Sequence, residues 1–141
     1  MKFMLIVKAT PDSEAGVMPG TELLAAMGAY NEELVRAGVL LAGEGLHPSA
    51  RGARVYFDGR ARRVADGPFD APGELVAGFW LIQARSLEEA VEWVKRVPNP
   101  DGAQAQIEIR RVFDAADFGA ALTPELQASE ERLRAQVAGR H

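Results

Sequence analysis

Few residues in this chain can move a proton near neutral pH, and they are unevenly placed. Histidine occurs twice, as His47 and as the terminal His141. His47 closes the stretch Gly43-Glu44-Gly45-Leu46-His47, just before Pro48. A neutral imidazole is the usual general base near pH 7, above all when a carboxylate orients its second nitrogen. Asp66 begins the turn Asp66-Gly67-Pro68-Phe69. Accepting N–H groups from that turn would hold it ionised, ready to orient His47 or to receive a substrate cation. His47 and Asp66 are therefore the candidate catalytic pair, suited to a proton-transfer step such as elimination or isomerisation. Each has a plainer reading. His47 can be a loop residue capping a carbonyl, and Asp-Gly-Pro reverses a chain with no chemistry involved.

Glu74, Trp80 and Arg54 are the candidate substrate-binding residues. Glu74 offers a carboxylate beside Gly73, Trp80 lies in an apolar segment and can floor a cleft, and Arg54 belongs to an Arg-rich stretch that can attract an anion. The plainer readings are an exposed acid, a packing indole, and charges that keep a sheet edge from aggregating. Phe69 fits a core plug beneath the turn better than a substrate contact. Glu44, Glu74, Asp66 and His47 lack the closely spaced His of a metal motif, so no metal is expected. Gly43-Glu44-Gly45 lacks the third Gly and following helix of a nucleotide fingerprint, and no cofactor is expected.

These residues need a scaffold, and 141 residues suffice for one core without staples. There is no Cys, which excludes disulfides and a thiol nucleophile. A net charge of −4 argues against a nucleic-acid partner. The apolar run at the N-terminus is broken by Lys8 and is too short to span a membrane. The expected location is the cytoplasm.

Lys2 to Ala9 reads as a central strand, apolar on both faces. Residues 12–20 read as a loop. Leu23, Leu24, Met27, Tyr30, Leu34 and Val35 recur at helical spacing from Thr21, and Gly38 closes that helix. Val39 to Ala42 is a short strand. Ala53 to Asp58 and Ala61 to Asp66 form a hairpin around Asp58-Gly59, where positive φ angles are expected. Leu75 to Ala84 is a second central strand. Ser86-Leu87-Glu88-Glu89 is a capping box, and the helix it opens should bury Leu87, Ala90, Val91 and Val94. Ala105 to Phe113 is a half-exposed strand. Thr123-Pro124 starts a helix in a tail whose stripe is Leu122, Leu126, Leu133 and Val137.

The order β-α-β, hairpin, β-α-β predicts an α+β, ferredoxin-like sandwich over residues 1–113, with a C-terminal helical arm over residues 114–141. Two helices cover one sheet face. A second copy of the chain is the economical cover for the other, giving a homodimer of the dimeric α/β-barrel type.

Val64-Ala65-Asp66-Gly67-Pro68-Phe69, followed by Glu74 and Gly78-Phe79-Trp80, resembles the signature of the YCII-related, or DGPF-domain, family. Tyr30-Asn31-Glu32-Glu33-Leu34 with Ala37 to Leu40 resembles its first helix and second strand. Glu88 to Trp93 resembles its second helix, and Glu108-Ile109-Arg110 with Val112 its last strand. The resemblance covers residues 1–113, and the tail resembles one subgroup. It implies a ferredoxin-like fold dimerising through its sheets, and a cleft in which a His and an Asp act together. It implies no settled activity: some relatives are small-molecule lyases or dehalogenating enzymes of aromatic compounds, while others accompany sigma factors or form parts of larger enzymes. Where the family continues Ala-Glu-Thr-Lys-Glu, this chain has Asp70-Ala71-Pro72-Gly73-Glu74, so Gly73 stands in place of a Lys. The expected function is a cofactor-independent lyase or isomerase on a small organic substrate. The alternative is a non-catalytic binding or regulatory module.

Overall fold

A computed structural model describes residues 1–71 and 73–140; Pro72 and His141 lie outside the described residues. It divides into two compact units, Met1–Arg111 and Val112–His141.

The first unit opens with strand β1 (Lys2–Lys8), the short helix α1 (Pro11–Glu14), helix α2 (Thr21–Arg36) and strand β2 (Leu40–Gly45). The hairpin strands β3 (Ala53–Asp58) and β4 (Ala61–Asp66) follow, then β5 (Val76–Gln83), α3 (Leu87–Lys95) and β6 (Ile107–Arg111). The main sheet is antiparallel, in the order β2-β5-β1-β6, while β3 and β4 pair only with each other. This mixed α+β arrangement is consistent with the ferredoxin-like expectation.

Side chains alternate across the sheet as the pleat requires. Phe3 and Leu5 of β1 stand opposite Ile82 and Trp80 of β5. All four are buried with Tyr30 and Leu34 of α2 and Ala90 of α3. The Tyr30 ring meets Trp80 edge-on at 5.5 Å, and its hydroxyl donates to the Trp93 carbonyl at 2.7 Å, tying α2 to α3. Burial pushes the Tyr30 phenol up to about 12, with Arg96 opposing and Glu33 adding. On the opposite face, Met4, Ile6, Phe79 and Leu81 are only half-buried and lie outside the core cluster.

Several local expectations are corrected. Residues 11–14, which overlap the start of the expected loop at 12–20, form α1, because Thr10 and Ser13 cap each other across its first turn and Pro11 supplies a helical φ. Strand β2 runs on through Gly45 because β5 is long enough to pair with it. The two-residue hairpin loop is Gly59-Arg60; Gly59 has φ +59° while Arg60 has none, the pattern of a type II′ turn. Ser86 caps α3 as expected, but Glu89 reaches back to the N–H of Arg85 instead of Ser86. Leu87, Leu24 and Val35 are at least half exposed, since they flank the buried stripes of their helices.

In the second unit, Asp114 and Asp117 cap each other across 3₁₀ turns over Ala115–Ala121, and Phe113 packs on Phe118. Helix α4 (Pro124–Ala138) starts at Thr123, whose hydroxyl accepts the Leu126 N–H at 3.3 Å. None of its residues is buried, and Leu126, Leu133 and Val137 are exposed.

Candidate functional site

The turn at Asp66-Gly67-Pro68-Phe69 is held against a single 3₁₀ turn, Ser49–Arg51, that follows His47. A Cβ on Gly67 would lie 1.7 Å from the Ser49 carbonyl oxygen, so only glycine fits this approach. The Gly67 N–H donates to the Gly52 carbonyl at 2.9 Å, and the Phe69 N–H to Ser49 Oγ at 3.0 Å. The Gly67-Pro68 peptide bond is cis.

Ser49 is the hub of this contact. Its hydroxyl donates to Glu14 Oε1 and its N–H donates to Glu14 Oε2 at 2.9 Å. The side-chain bond first, and the backbone bond second, hold the Glu14 carboxyl below the usual Glu range, against a smaller opposing effect of burial. A relay therefore runs from the Phe69 N–H through Ser49 to an ionised Glu14, and it joins α1, the 3₁₀ turn and the family turn. Glu14 and Phe69, with Pro11, Pro68, Asp70 and Leu75, line an open cavity of about 450 Å³.

The expected site residues are placed as follows. His47 is exposed on the segment between β2 and the 3₁₀ turn. Asp66 is exposed at the end of β4. The bonds expected from the turn to its carboxylate are not made, because the Gly67 and Phe69 N–H groups are committed to Gly52 and Ser49. The backbones carrying the two residues nevertheless meet, at Ser49 two residues after His47 and at Gly67 one residue after Asp66. Arg54, half-buried on β3, holds its guanidinium 4.0 Å above the ring centre of Phe69. Arg62 and Arg63 likewise cover Phe57 and Tyr56, so these three cations are spent on rings of the hairpin and turn. Phe69 is half-buried between Arg54 and the cavity.

Glu74 is exposed, and its N–H closes a turn onto Ala71 at 2.9 Å. Trp80 is buried and bounds a second cavity, of about 430 Å³, under the N-terminal half of α2. Neither His47, Asp66, Glu74 nor Arg54 lines either cavity. Among the described residues no three His, Asp or Glu side chains gather as a metal site would need. No helix among them is long and apolar enough to cross a membrane.

Sequence reasoning missed Glu14, Ser49 and Asn31. Glu14 and Ser49 are 35 residues apart and carry no motif. The one available signal for Glu14 was the Thr10-Pro11-Asp12-Ser13 start, which is a helix cap as much as a loop. Asn31 accepts the Trp80 indole N–H at 2.8 Å, a pairing visible only once α2 lies on β5.

A family model described as the YCII-related domain matches residues 1–116. An uncharacterized protein of Rhizobium meliloti (strain 1021) is 30% identical over 84 residues, covering 60% of this chain and 68% of that protein. Among solved structures, the 5-chloro-2-hydroxyhydroquinone dehydrochlorinase from Burkholderia phenoliruptrix AC1100, in complex with 2,5-dihydroxybenzoquinone, is 18% identical. The match covers 83% of this chain and 98% of that one, with a TM-score of 0.46, too loose a likeness to inform the site.

Proposed function

The chain belongs to the YCII-related domain family, and we propose that it acts on a small organic molecule held beside the Gly67-Pro68 turn. His47 accepts a proton from the substrate, Asp66 orients or balances the imidazole, and the step is an elimination or isomerisation that needs no cofactor. The observation that carries this reading is the contact of Gly67 with the Ser49 carbonyl. It draws together the two segments that bear the only described His and the signature Asp. The relay through Ser49 and Glu14 fixes that meeting point, and the neighbouring cavity of about 450 Å³ lies within the usual range for small-molecule sites. Arg54, whose guanidinium covers Phe69 beside that cavity, and Glu74 are assigned to substrate binding; Trp80 bounds the separate cavity under α2 instead.

We place the protein in the cytoplasm as a homodimer. The half-buried row Met4, Ile6, Phe79 and Leu81 on the face opposite the helices supports dimerisation through the sheet. The exposure of both His47 and Asp66 favours a second reading, a module that binds its ligand without turning it over.

A thermal-shift screen against a metabolite library, followed by product analysis of each hit, separates the two. The enzyme reading expects a hit that is converted, with conversion slowed by Asp66→Asn. Hits that bind and are never converted would establish the binding module instead.

A further inference from the structure

The space beneath the N-terminal half of α2 is hollow for a reason visible in the chain. Where a helix packs on a sheet, side chains from the strands normally fill the gap. Here Gly43 and Gly45 of β2 stand opposite Trp80 and Gly78 of β5, so three of four positions in this corner have no side chain. Two of the glycines are required by close approach. A Cβ on Gly43 would lie 2.9 Å from Trp80 Cδ1, and one on Gly78 would lie 2.9 Å from the Glu44 carbonyl oxygen. Gly45 is different: nothing lies within 4 Å of its Cβ position, which faces open space. The result is a cleft of about 430 Å³ whose helix wall carries Leu23, Met27 and Asn31.

Asn31 supplies the polar direction. An indole N–H can only donate, so the Asn31 atom facing Trp80 Nε1 at 2.8 Å must be its carbonyl oxygen. The Asn31 NH₂ therefore points elsewhere, and no partner for it exists among the described residues.

We propose that this cleft is a binding site for a planar, largely apolar molecule that presents one hydrogen-bond acceptor, such as a carbonyl, to the Asn31 NH₂. The absence of side chains at Gly43, Gly45 and Gly78 leaves the room, and the Trp80 ring beside it favours a planar body. The Asn31 NH₂, oriented by the indole, favours a ligand that carries an acceptor. The site contains neither His47 nor Asp66 and stands whether or not they act on a substrate.

Titration with 1-indanone, a planar bicycle with one ketone, and with indane, its counterpart lacking the ketone, tests this by ¹H–¹⁵N NMR. The expected result is saturable movement of the Trp80 indole and Gly45 amide signals, with 1-indanone the tighter ligand. Asn31→Asp keeps an acceptor for the indole and removes the donor, so it should weaken 1-indanone about fivefold and leave indane unchanged. Gly45→Leu should fill the cleft and abolish both. Those signals remaining still up to the solubility of 1-indanone would overturn the proposal. So would equal weakening of both ligands by Asn31→Asp.

Discussion

Adding one methyl group at the family turn should be among the most damaging small changes this chain can suffer. Gly67→Ala puts a carbon 1.7 Å from the Ser49 carbonyl oxygen and 2.6 Å from its carbonyl carbon. Carbon atoms settle at about 3.5–4 Å from such neighbours, so backbone must move by more than about 1 Å on one side. Overpacking of this kind costs about 1–3 kcal/mol. The movement also strains two hydrogen bonds, Gly67 N–H to Gly52 and Phe69 N–H to Ser49, each worth about 1 kcal/mol. A total of about 4 kcal/mol follows. For a unit of roughly 110 residues, unfolding entropy is about 0.23 kcal/mol per kelvin near 60 °C, so the melting midpoint should fall by roughly 17 °C. Gly73→Ala is the control: its φ is ordinary and its Cβ position is empty, so its midpoint should hold or rise by up to about 4 °C. Differential scanning calorimetry of the two variants decides the matter. A Gly67→Ala protein melting within about 3 °C of wild type would refute the close packing of the turn on Ser49.

Ser49→Ala removes both side-chain links of the relay, the acceptor for the Phe69 N–H and the hydroxyl that donates to Glu14, and should cost about 1–3 kcal/mol in urea denaturation. Glu14 has a lowered folded pKa, so its stabilising effect is complete above the unfolded Glu value of about 4.3 and is lost as pH falls through the folded pKa. Denaturation at pH 3 to 7 should therefore show a shallower acid loss for Glu14→Gln than for wild type. Tyr30 has the opposite behaviour at high pH. Its unfolded phenol ionises near 10 while the folded one holds its proton to about 12, so stability falls as pH rises between them. Tyr30→Phe should flatten that fall, at a cost of about 1 kcal/mol at neutral pH for the bond to the Trp93 carbonyl. Leu81→Glu places a charge in the apolar row opposite the helices; sedimentation should show the proposed dimer for the parent and a monomer for the variant.

Much of the scaffold was legible because its signals are local. The hairpin strands at residues 53–58 and 61–66 were bounded by the Asp58-Gly59 turn signal, and α3 by the Ser86 cap. The main-sheet strands followed from apolar runs, and the cap of α4 from Thr123-Pro124. What escaped was tertiary. The Ser49–Glu14 relay joins residues that neither periodicity nor motif connects, and its formation changed what the turn does with its N–H groups. Asp66, read as their acceptor, receives none from Gly67 or Phe69, because Ser49 and Gly52 outcompete it from across the contact. Leu87 shows the same limit in the core: its apolar character suggested burial, yet it sits at the first turn of α3 and is 50% exposed.

The account of function rests on His47 taking a proton, and the most direct test is the turnover of a converted ligand by His47→Ala. A general base contributes about 10²- to 10⁴-fold. The account predicts a fall of at least about 100-fold in kcat, with ligand binding by thermal shift preserved. Turnover at the wild-type rate would contradict it, and would move the chemistry away from the segment that meets the Asp66-Gly67-Pro68-Phe69 turn.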